Sequence, residues 1–316
     1  MALLLNEQQV RTLAPMSDLI EAMEGALIAY SSGAAGQPVR TVVDVGPDKN
    51  FFGVMPAYVG GSGEALGAKL VTFFVTNTAL GVPTHFATIV LLDPHTGALQ
   101  AILDGRYLTE ARTSAVSAVS ARWLARPGSK RLAIIGSGVQ AQSHLEALGR
   151  MFELEQVRVW SPTRKKLEAF CETHGVLAAT SAEEAVHDAD MVAVVSAART
   201  PVVMDEWIRS GTHIMAVGAC RASHRELDGK LVARARVVVD SRAGALREAG
   251  DILIPISEGL FDASHIAGEL GERPSRQSPD EITIFKSLGM AVEDVVAAKL
   301  VYDRAVAAKS GTEFEF

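Results

Sequence analysis

A glycine-rich segment between a strand pattern and a helix pattern constrains the fold of this chain most strongly. Residues 130–135 are largely apolar and predict a short strand, which Gly136, Gly138 and Ala141 follow at the spacing Gly-x-Gly-x-x-Ala. Gly136 allows a tight turn, Gly138 lets the backbone approach a pyrophosphate, and Ala141 lets a helix pack closely on the strand. The first N–H groups of such a helix attract phosphate. The segment predicts a nucleotide site, and an ordinary glycine-rich turn is the alternative.

Strand and helix patterns alternate from residue 130 onward. The predicted strands lie at 132–135, 157–160, 191–195, 213–217 and 236–239. A helix is expected at 164–174 and should end near Gly175. Such alternation is typical of a parallel sheet with helices on both faces. We therefore expect a Rossmann-type dinucleotide domain in this part of the chain.

The first part of the chain has a different pattern. Residues 8–32 have apolar side chains at helical spacing. The expected strands that follow are 42–45, 51–55, 67–74, 86–92 and 99–103. They predict an antiparallel sheet with helices on one face. A helix of small residues is expected at 108–126, before a hinge at Pro127 and Gly128, and a final helix within 281–310 should return to this domain.

Composition excludes several classes of partner. The chain has 316 residues with a net charge of −7, which argues against nucleic acid or an anionic membrane surface. It has no apolar run of the roughly 18 residues that a membrane-spanning helix needs. Two cysteines among 316 residues argue against a disulfide scaffold and favour the cytoplasm. The 8 histidines show no metal-ligand spacing, so no metal site is expected, and His85, His213 and His224 are interpreted as core or surface residues.

The end of the second Rossmann strand bears on the choice of cofactor. Enzymes that prefer NAD usually place an acid there, which accepts a hydrogen bond from the ribose 2′-hydroxyl. This chain has Ser161, Thr163, Arg164 and Lys165 instead, and no acid. We therefore expect NADP(H), with NAD(H) as the other option. In the alternative interpretation, Arg164 and Lys165 simply begin a solvated helix.

Three basic residues of the first part are candidate ligands for a carboxylate. Lys69 lies in an apolar strand, where an ammonium needs a partner or a lowered pKa. Arg112 begins the small-residue helix, and a guanidinium can bind a carboxylate through two parallel hydrogen bonds. Arg40 precedes the first strand of the sheet and is the weakest of the three candidates. The alternatives are an edge-strand lysine that reaches solvent and arginines with structural roles.

Several segments together resemble the ornithine cyclodeaminase/mu-crystallin family. They run in the family's order over nearly the whole chain and are far more specific than the glycine pattern alone. The segments are 81–85, 93–97, 103–105, 108–113, 216–219, 225–227, 239–242 and 285–294.

The resemblance implies a homodimer with a substrate-binding and dimerisation domain at residues 1–127 and 296–316 and a dinucleotide-binding domain at 128–295. It implies that Arg40, Lys69 and Arg112 hold the carboxylate of an amino or imino acid, and it places Thr84 and Gly289 near the nicotinamide. The predicted cofactor-binding residues are Thr84, Gly136, Ser137, Gly138, Val139, Gln140, Ser161, Thr163, Arg164, Ser196, Gly218 and Gly289.

Two positions depart from the family patterns. Cys220 stands where ornithine cyclodeaminases carry an acid, and ketimine reductases similar to mu-crystallin have a small uncharged residue there. Pro162 stands where mu-crystallin-like proteins place an arginine, and Arg164 is a candidate to compensate. A thiol offers no permanent anion to a substrate ammonium, because its unperturbed pKa is about 8.5.

The resemblance therefore favours an NAD(P)H-dependent reductase of a cyclic ketimine acid, such as Δ1-pyrroline-2-carboxylate going to L-proline. Lys69, Arg112 and Cys220 are the predicted catalytic residues. The alternatives are ornithine cyclodeamination to proline and ammonia, an amino-acid oxidation like that of alanine dehydrogenase, and a non-catalytic NADPH-dependent binder of small molecules.

Overall fold

The computed structural model describes residues 1–47, 50–61 and 63–315. The chain forms two compact units, one of residues 1–113 with 290–316 and the other of residues 114–289. This division precedes the expected hinge at Pro127 and Gly128, and it falls inside a single helix. The assignment of substrate-binding and dimerisation roles to 1–127 with 296–316, and of the dinucleotide role to 128–295, stays a prediction.

The first unit begins with a short strand that the sequence patterns did not reveal. Its strands up to residue 104 are β1 (Ala2–Leu5), β2 (Ala35–Gly36), β3 (Thr41–Val45), β4 (Asn50–Val59), β5 (Ala65–Phe73), β6 (His85–Leu92) and β7 (Leu99–Asp104). The helices are α1 (Glu7–Leu13), α2 (Met16–Ser31), α3 (Asn77–Leu80) and α4 (Arg106–Leu124), of which α4 continues into the second unit.

The single helix expected at 8–32 is two helices. Pro15 lies between α1 and α2 in an extended conformation, with φ −62° and ψ 141°, and forms the N-cap of α2. Proline has no N–H to continue the hydrogen bonds of α1, and its ring crowds the preceding turn. The apolar spacing continues across the break, because both helices bury one face: Val10 in α1, and Leu19 and Leu27 in α2.

The second unit alternates strands with helices. Its strands are β8 (Arg131–Ile135), β9 (Gln156–Trp160), β10 (Leu177–Ala178), β11 (Met191–Val194), β12 (His213–Ala216), β13 (Arg236–Val239), β14 (Ile266–Glu269) and β15 (Thr283–Lys286). The helices are α5 (Val139–Met151), α6 (Arg164–His174), α7 (Ala182–Val186), α8 (Gly229–Arg234), α9 (Arg242–Glu248) and α10 (Gly250–Ser257).

All eight strands of this sheet are parallel, in the order β10-β9-β8-β11-β12-β15-β13-β14. The chain adds β9 and β10 on one side of β8 and then returns to place β11 on the other side. The order therefore reverses between β8 and β11, which is where sheets of this type bind ligands. The predicted Rossmann-type sheet is confirmed.

A stripe of serines on α4 belongs to the same unit. Ser114 shares a hydrogen bond of 2.7 Å with Ser143, and the Oγ of Ser117 lies 2.9 Å from Nε2 of His144. Both partners are on α5, the helix that follows the glycine-rich segment. The stripe therefore joins α4 to α5 through polar contacts that are buried and paired.

The chain ends in the first unit with α11 (Ala291–Ala308) and β16 (Thr312–Phe314). The order of this sheet is β16-β1-β7-β6-β5-β4-β2, and β3 also pairs with β4. The strands expected between residues 39 and 104 pair antiparallel, as predicted. Strand β1, which was not predicted, runs parallel to β7, and helices and five further strands separate the two along the chain. Helix α11 packs on β4, β5 and β6 and covers one face of the sheet. Within the described residues, no helix is long and apolar enough to cross a membrane.

Candidate functional site

A buried cluster of opposite charges lies in the first unit. Lys69 is in the middle of β5, and its Nζ is 2.7 Å from Oδ2 of Asp294. Arg112 on α4 donates from Nε to Oδ1 of the same carboxylate at 2.9 Å and from Nη1 to Glu293 at 2.5 Å. Lys69 is 2% exposed and Arg112 is 4% exposed, while both acids are fully buried. The cluster therefore brings together two of the three predicted carboxylate ligands.

The two acids come from the first turn of α11, where a negative charge is favoured by the helix dipole. The N–H of Val292 in the same turn donates to the side chain of Gln37 at 2.9 Å. Alternation along β5 turns Lys69 toward the face that α11 covers, together with Gly67 and Val71. Sheet and helix thus position the cations against the anions.

The third candidate, Arg40, immediately precedes β3. The registered pairs Thr41–Val54 and Met55–Lys69 place Arg40 beside the row of the sheet that contains Lys69. Its positive charge helps to lower the pKa of Lys69. The three cations therefore lie near one another on this side of the first unit.

The protonation states of this cluster follow from burial and from the neighbouring charges. Burial lowers the pKa of Lys69 to about 8, against the raising effect of Asp294. Burial also opposes ionisation of Asp294, but Arg112 and Lys69 outweigh it and hold the pKa of that carboxyl below its usual value. Burial, together with Lys69 and Arg112, lowers the pKa of His85 to about 4, so its imidazole is neutral at pH 7. Thr84, next to it, accepts a hydrogen bond from the N–H of Phe74 at 2.8 Å.

The glycine-rich segment of the second unit forms an open turn between β8 and α5. Gly136 has φ +130°, and a Cβ there would lie 2.8 Å from the carbonyl oxygen of Val195, so only glycine fits. Gly138 is the N-cap of α5 and makes no side-chain cap. A Cβ on Gly138 would meet no protein atom within 4 Å. The space at the start of α5 therefore suits a phosphate, as the fold requires of a dinucleotide cofactor.

The other predicted cofactor residues of this half surround the same edge of the sheet. Ser137, Val139 and Gln140 belong to the turn and the first turn of α5. Ser161 follows β9, and Thr163 is the N-cap of α6 without a side-chain cap. The Arg164 side chain is 87% exposed and its Nε donates to Glu168 at 2.7 Å.

The ends of β11 and β12 carry Ser196, Gly218 and Cys220. A buried residue that sequence reasoning missed, Glu226, accepts hydrogen bonds from the N–H and the Oγ–H of Ser196 at 2.9 and 2.6 Å. Cys220 is exposed, and its Sγ lies 3.3 Å from the carbonyl oxygen of Val217, to which the thiol donates. Its assignment as a catalytic residue stays a prediction.

Gly289 lies in the turn after β15, with φ +80°. Asp240, at the end of β13, accepts the N–H groups of Leu288 and Gly289 at 2.5 and 2.8 Å. Asp240 is 1% exposed, so this turn is fixed by a buried carboxylate.

Sequence reasoning did not identify the buried acids that hold these candidates in place. Glu293 and Asp294 lie between Val292 and Val295 in an apolar helix, and charges in such a run are a signal that could have indicated a buried pair. His213 is a satisfied core residue: it lies 2.9 Å from Thr283 and 3.1 Å from Ser120, and burial lowers its pKa to about 3. No group of three or more potential metal ligands occurs in the part of the chain that the structure describes.

Together these features define a class: an α/β protein with a Rossmann-type sheet, an open phosphate-sized turn, and a buried cationic cluster in its other unit. The chain belongs to the ornithine cyclodeaminase/mu-crystallin family, whose model matches residues 2–309. The family expectation from the sequence is thereby confirmed.

Three similar proteins show how far the likeness extends. The ketimine reductase mu-crystallin of Mus musculus is 46% identical over 299 residues, which is 92% of this chain and 93% of that protein. The Δ1-pyrroline-2-carboxylate reductase of Thermococcus litoralis, solved in complex with NADH and L-proline, is 39% identical with a TM-score of 0.93, covering 99% of this chain and 100% of that one. An archaeal alanine dehydrogenase dimer with bound NAD is 34% identical with a TM-score of 0.93, covering 100% of this chain and 99% of that one.

Proposed function

We propose that the protein reduces cyclic ketimine acids with NAD(P)H, as in the conversion of Δ1-pyrroline-2-carboxylate to L-proline. The observation that carries the proposal is the buried cluster of Lys69, Arg112 and Asp294, which holds two cations of the kind that bind a substrate carboxylate. The names of the mouse and Thermococcus relatives support the same reaction class and the same kind of small-molecule substrate.

The chain's own residues would act on the substrate in two ways. Arg112 and Arg40 attract the carboxylate through their charge and their N–H groups. Lys69, with a pKa of about 8, is protonated at neutral pH and donates a proton from Nζ to the ring nitrogen. A donor whose pKa is near the working pH is effective because it is both populated and able to release its proton. The reduced nicotinamide, when bound, supplies the hydride.

The residues of the second unit fit a dinucleotide. The open space at Gly138 and the N-terminus of α5 suit the pyrophosphate. Ser161, Thr163 and the exposed Arg164, with no acid at the end of β9, favour a 2′-phosphate and therefore NADP(H) over NAD(H). The similar solved structures hold NADH and NAD, so both cofactors belong in the test.

The first sheet supports assembly as a homodimer. Helix α11 covers one face, while apolar side chains on the other face of β5 and β6 stay partly or fully exposed, among them Leu66, Leu70, Phe86 and Val90. An apolar sheet face of this kind is typical of an interface. The archaeal relative is a dimer. Light scattering after size-exclusion chromatography should give twice the chain mass of 33.5 kDa.

We also propose a cytoplasmic location, which the absence of a disulfide between Cys171 and Cys220 suits.

The deciding experiment is a paired assay. Oxidation of NADPH and of NADH is followed with Δ1-pyrroline-2-carboxylate, beside ammonia release from L-ornithine with catalytic NAD. We expect rapid NADPH oxidation and no ammonia. Ammonia release without net cofactor change would mean that Cys220 does not exclude cyclodeamination, and it would refute the proposal. Binding of NADPH without turnover on any imino acid would instead indicate a binder.

A second candidate is an amino-acid dehydrogenase, which the likeness to the archaeal alanine dehydrogenase favours. The cluster of Lys69 and Arg112 would hold the carboxylate of an open-chain acid equally well. The two candidates differ in their need for ammonium. Cofactor oxidation with pyruvate that requires ammonium, and is faster than with the cyclic imine, would favour the dehydrogenase.

A further inference from the structure

Three ionisable side chains are buried together beneath the ends of the parallel strands in the second unit. Glu226, Asp251 and Lys286 are 0%, 1% and 1% exposed, and none of them belongs to the predicted site. Burying charges costs a large free energy unless they are paired and hydrogen-bonded. A set of this kind at the ligand-binding edge of a Rossmann sheet therefore invites a functional explanation.

The Glu226 carboxylate joins two loops. Its Oε1 accepts the N–H and the Oγ–H of Ser196, which follows β11, at 2.9 and 2.6 Å. Its Oε2 accepts the N–H of Ala219, which follows β12, at 2.8 Å. A Cβ on Gly218 would lie 2.5 Å from Oε1 and 2.0 Å from the carbonyl oxygen of Ser196. Both loops thus close around one carboxylate with no room for another side chain.

A second carboxylate holds Glu226 from behind. The N–H groups of Glu226 and Leu227 donate to Oδ1 of Asp251 at 2.7 and 3.0 Å. The other oxygen of Asp251 is 3.0 Å from Nζ of Lys286, the last residue of β15. The backbone of Glu226 is therefore anchored at the residue whose carboxylate binds the two loops.

We propose that Glu226 is a positioning residue for the dinucleotide, acting through Ser196 and the loop at Gly218. This inference rests on the proposed function. The ionised carboxylate accepts the hydrogen bond that the Ser196 hydroxyl donates, so Oγ is left to accept hydrogen bonds. It already accepts one from the N–H of Ala198 at 3.1 Å. The remaining acceptor direction suits an amide N–H or a hydroxyl of the cofactor, the groups that its carboxamide and ribose offer.

The protonation of Glu226 gives this role a signature in pH. Burial raises the pKa of Glu226 to about 7, against the lowering effect of Lys286 and with the raising effect of Asp251. Burial opposes the charge on Lys286, but Asp251 and Cys220 outweigh it and raise the pKa of this lysine. Below pH 7 the carboxyl of Glu226 carries a proton of its own. The three groups that face it, the N–H and Oγ–H of Ser196 and the N–H of Ala219, are all donors and offer that proton no acceptor. Dinucleotide affinity should therefore weaken on acidification.

The test is a titration of dihydronicotinamide fluorescence with NADPH and with NADH across pH 6 to 8. In Glu226→Gln we expect the Kd to rise at least about tenfold, the loss of one hydrogen bond to a charged group, and its pH dependence to disappear. Ser196→Ala should lose a similar factor. The double variant should raise the Kd by less than the product of the two single effects, because both changes remove the bond between Glu226 and Ser196.

Asp190→Asn is the matched control. Asp190 is also buried and accepts two backbone N–H groups, those of Lys130 and Arg131, both at 2.9 Å, but at the opposite ends of the strands. It should lower Tm and leave the Kd unchanged. If the wild-type protein binds neither dinucleotide, the proposed function fails. If it binds but Glu226→Gln has the same Kd and pH dependence, or the double variant is additive, only the role of Glu226 is refuted. Should Glu226→Gln not fold, Ser196→Ala and the wild-type pH dependence decide.

Discussion

Replacing Asp294 by Asn should move the pH dependence of catalysis, because Asp294 is the anion nearest to Lys69. The two charges are 2.7 Å apart and fully buried. Coulomb's law at an effective dielectric constant of about 20 gives roughly 6 kcal/mol for unit charges at this distance. Losing even a quarter of that energy lowers the pKa of Lys69 by about one unit, from about 8 to about 7.

The sign of the effect follows from the direction of the shift. Lys69 is the proton donor, so activity falls as pH rises through its pKa. At pH 7.5 the protonated fraction drops from about three-quarters to about one-quarter when the pKa moves by one unit. The alkaline limb of kcat with saturating NADPH and imino acid should therefore move at least about one unit toward acid. Loss of a buried charge partner also destabilises by about 3–5 kcal/mol, so folding is checked at each pH.

Glu293→Gln is the matched control for this prediction. Glu293 is the adjacent residue of α11 and is equally buried, but it binds Arg112, whereas Asp294 is the anion that raises the pKa of Lys69 most. It should raise the KM for the imino acid and leave the alkaline limb in place. An unchanged limb in Asp294→Asn, or an equal shift in Glu293→Gln, would refute the assignment of Lys69 as the proton donor under the control of Asp294.

Three further changes test separate parts of the structure. Gly138→Ala adds a methyl group that meets no protein atom within 4 Å, so the circular dichroism spectrum should stay native. The Kd for NADPH, measured by fluorescence, should rise at least about tenfold. Unaltered binding would contradict a phosphate at this turn. Arg164→Ala should raise the KM for NADPH several-fold and leave that for NADH nearly unchanged, as steady-state kinetics with each cofactor would reveal. His213 has its pKa lowered to about 3 by burial, so its folded state resists protonation, and its contribution to stability is complete above pH 6.5 and is lost on acidification below it. His213→Gln should flatten the urea-unfolding free energy against pH over 4 to 6 by up to about 1.4 kcal/mol per unit, and an unchanged slope would show that another group dominates.

The sequence predicts the Rossmann half well because its signals are local. The turn at Gly136 and Gly138, the helix end at Gly175 and the five strand positions each depend on a few neighbouring residues, and the structure has strands within one residue of all five. The strand β1 was missed because the four residues Ala2–Leu5 are too few to show a strand pattern, and only their pairing with β7 and β16 makes them a strand.

The candidate site was predictable in its cations and not in its anions. Lys69 is conspicuous because a charge interrupts an apolar strand. Glu293 and Asp294 lie 181 and 182 residues after Arg112, their hydrogen-bond partner, and only the return of α11 to the first sheet brings them together. Glu226 and Asp251 are ordinary acids in the sequence, and their importance depends on burial, which no local pattern gives.

The proposed carboxylate site around Lys69 would also make the ligand-free protein a detector of its own ligand. A ligand that binds only the folded state adds about 2.7 kcal/mol to the free energy of unfolding at a concentration of one hundred times its Kd, so a small carboxylate that enters the site should raise Tm. Melting the protein in the presence of a panel of monocarboxylic acids, with no cofactor and no turnover, would then rank ring sizes and chain lengths by fit. Metabolite preference could thus be surveyed before the reaction has been observed.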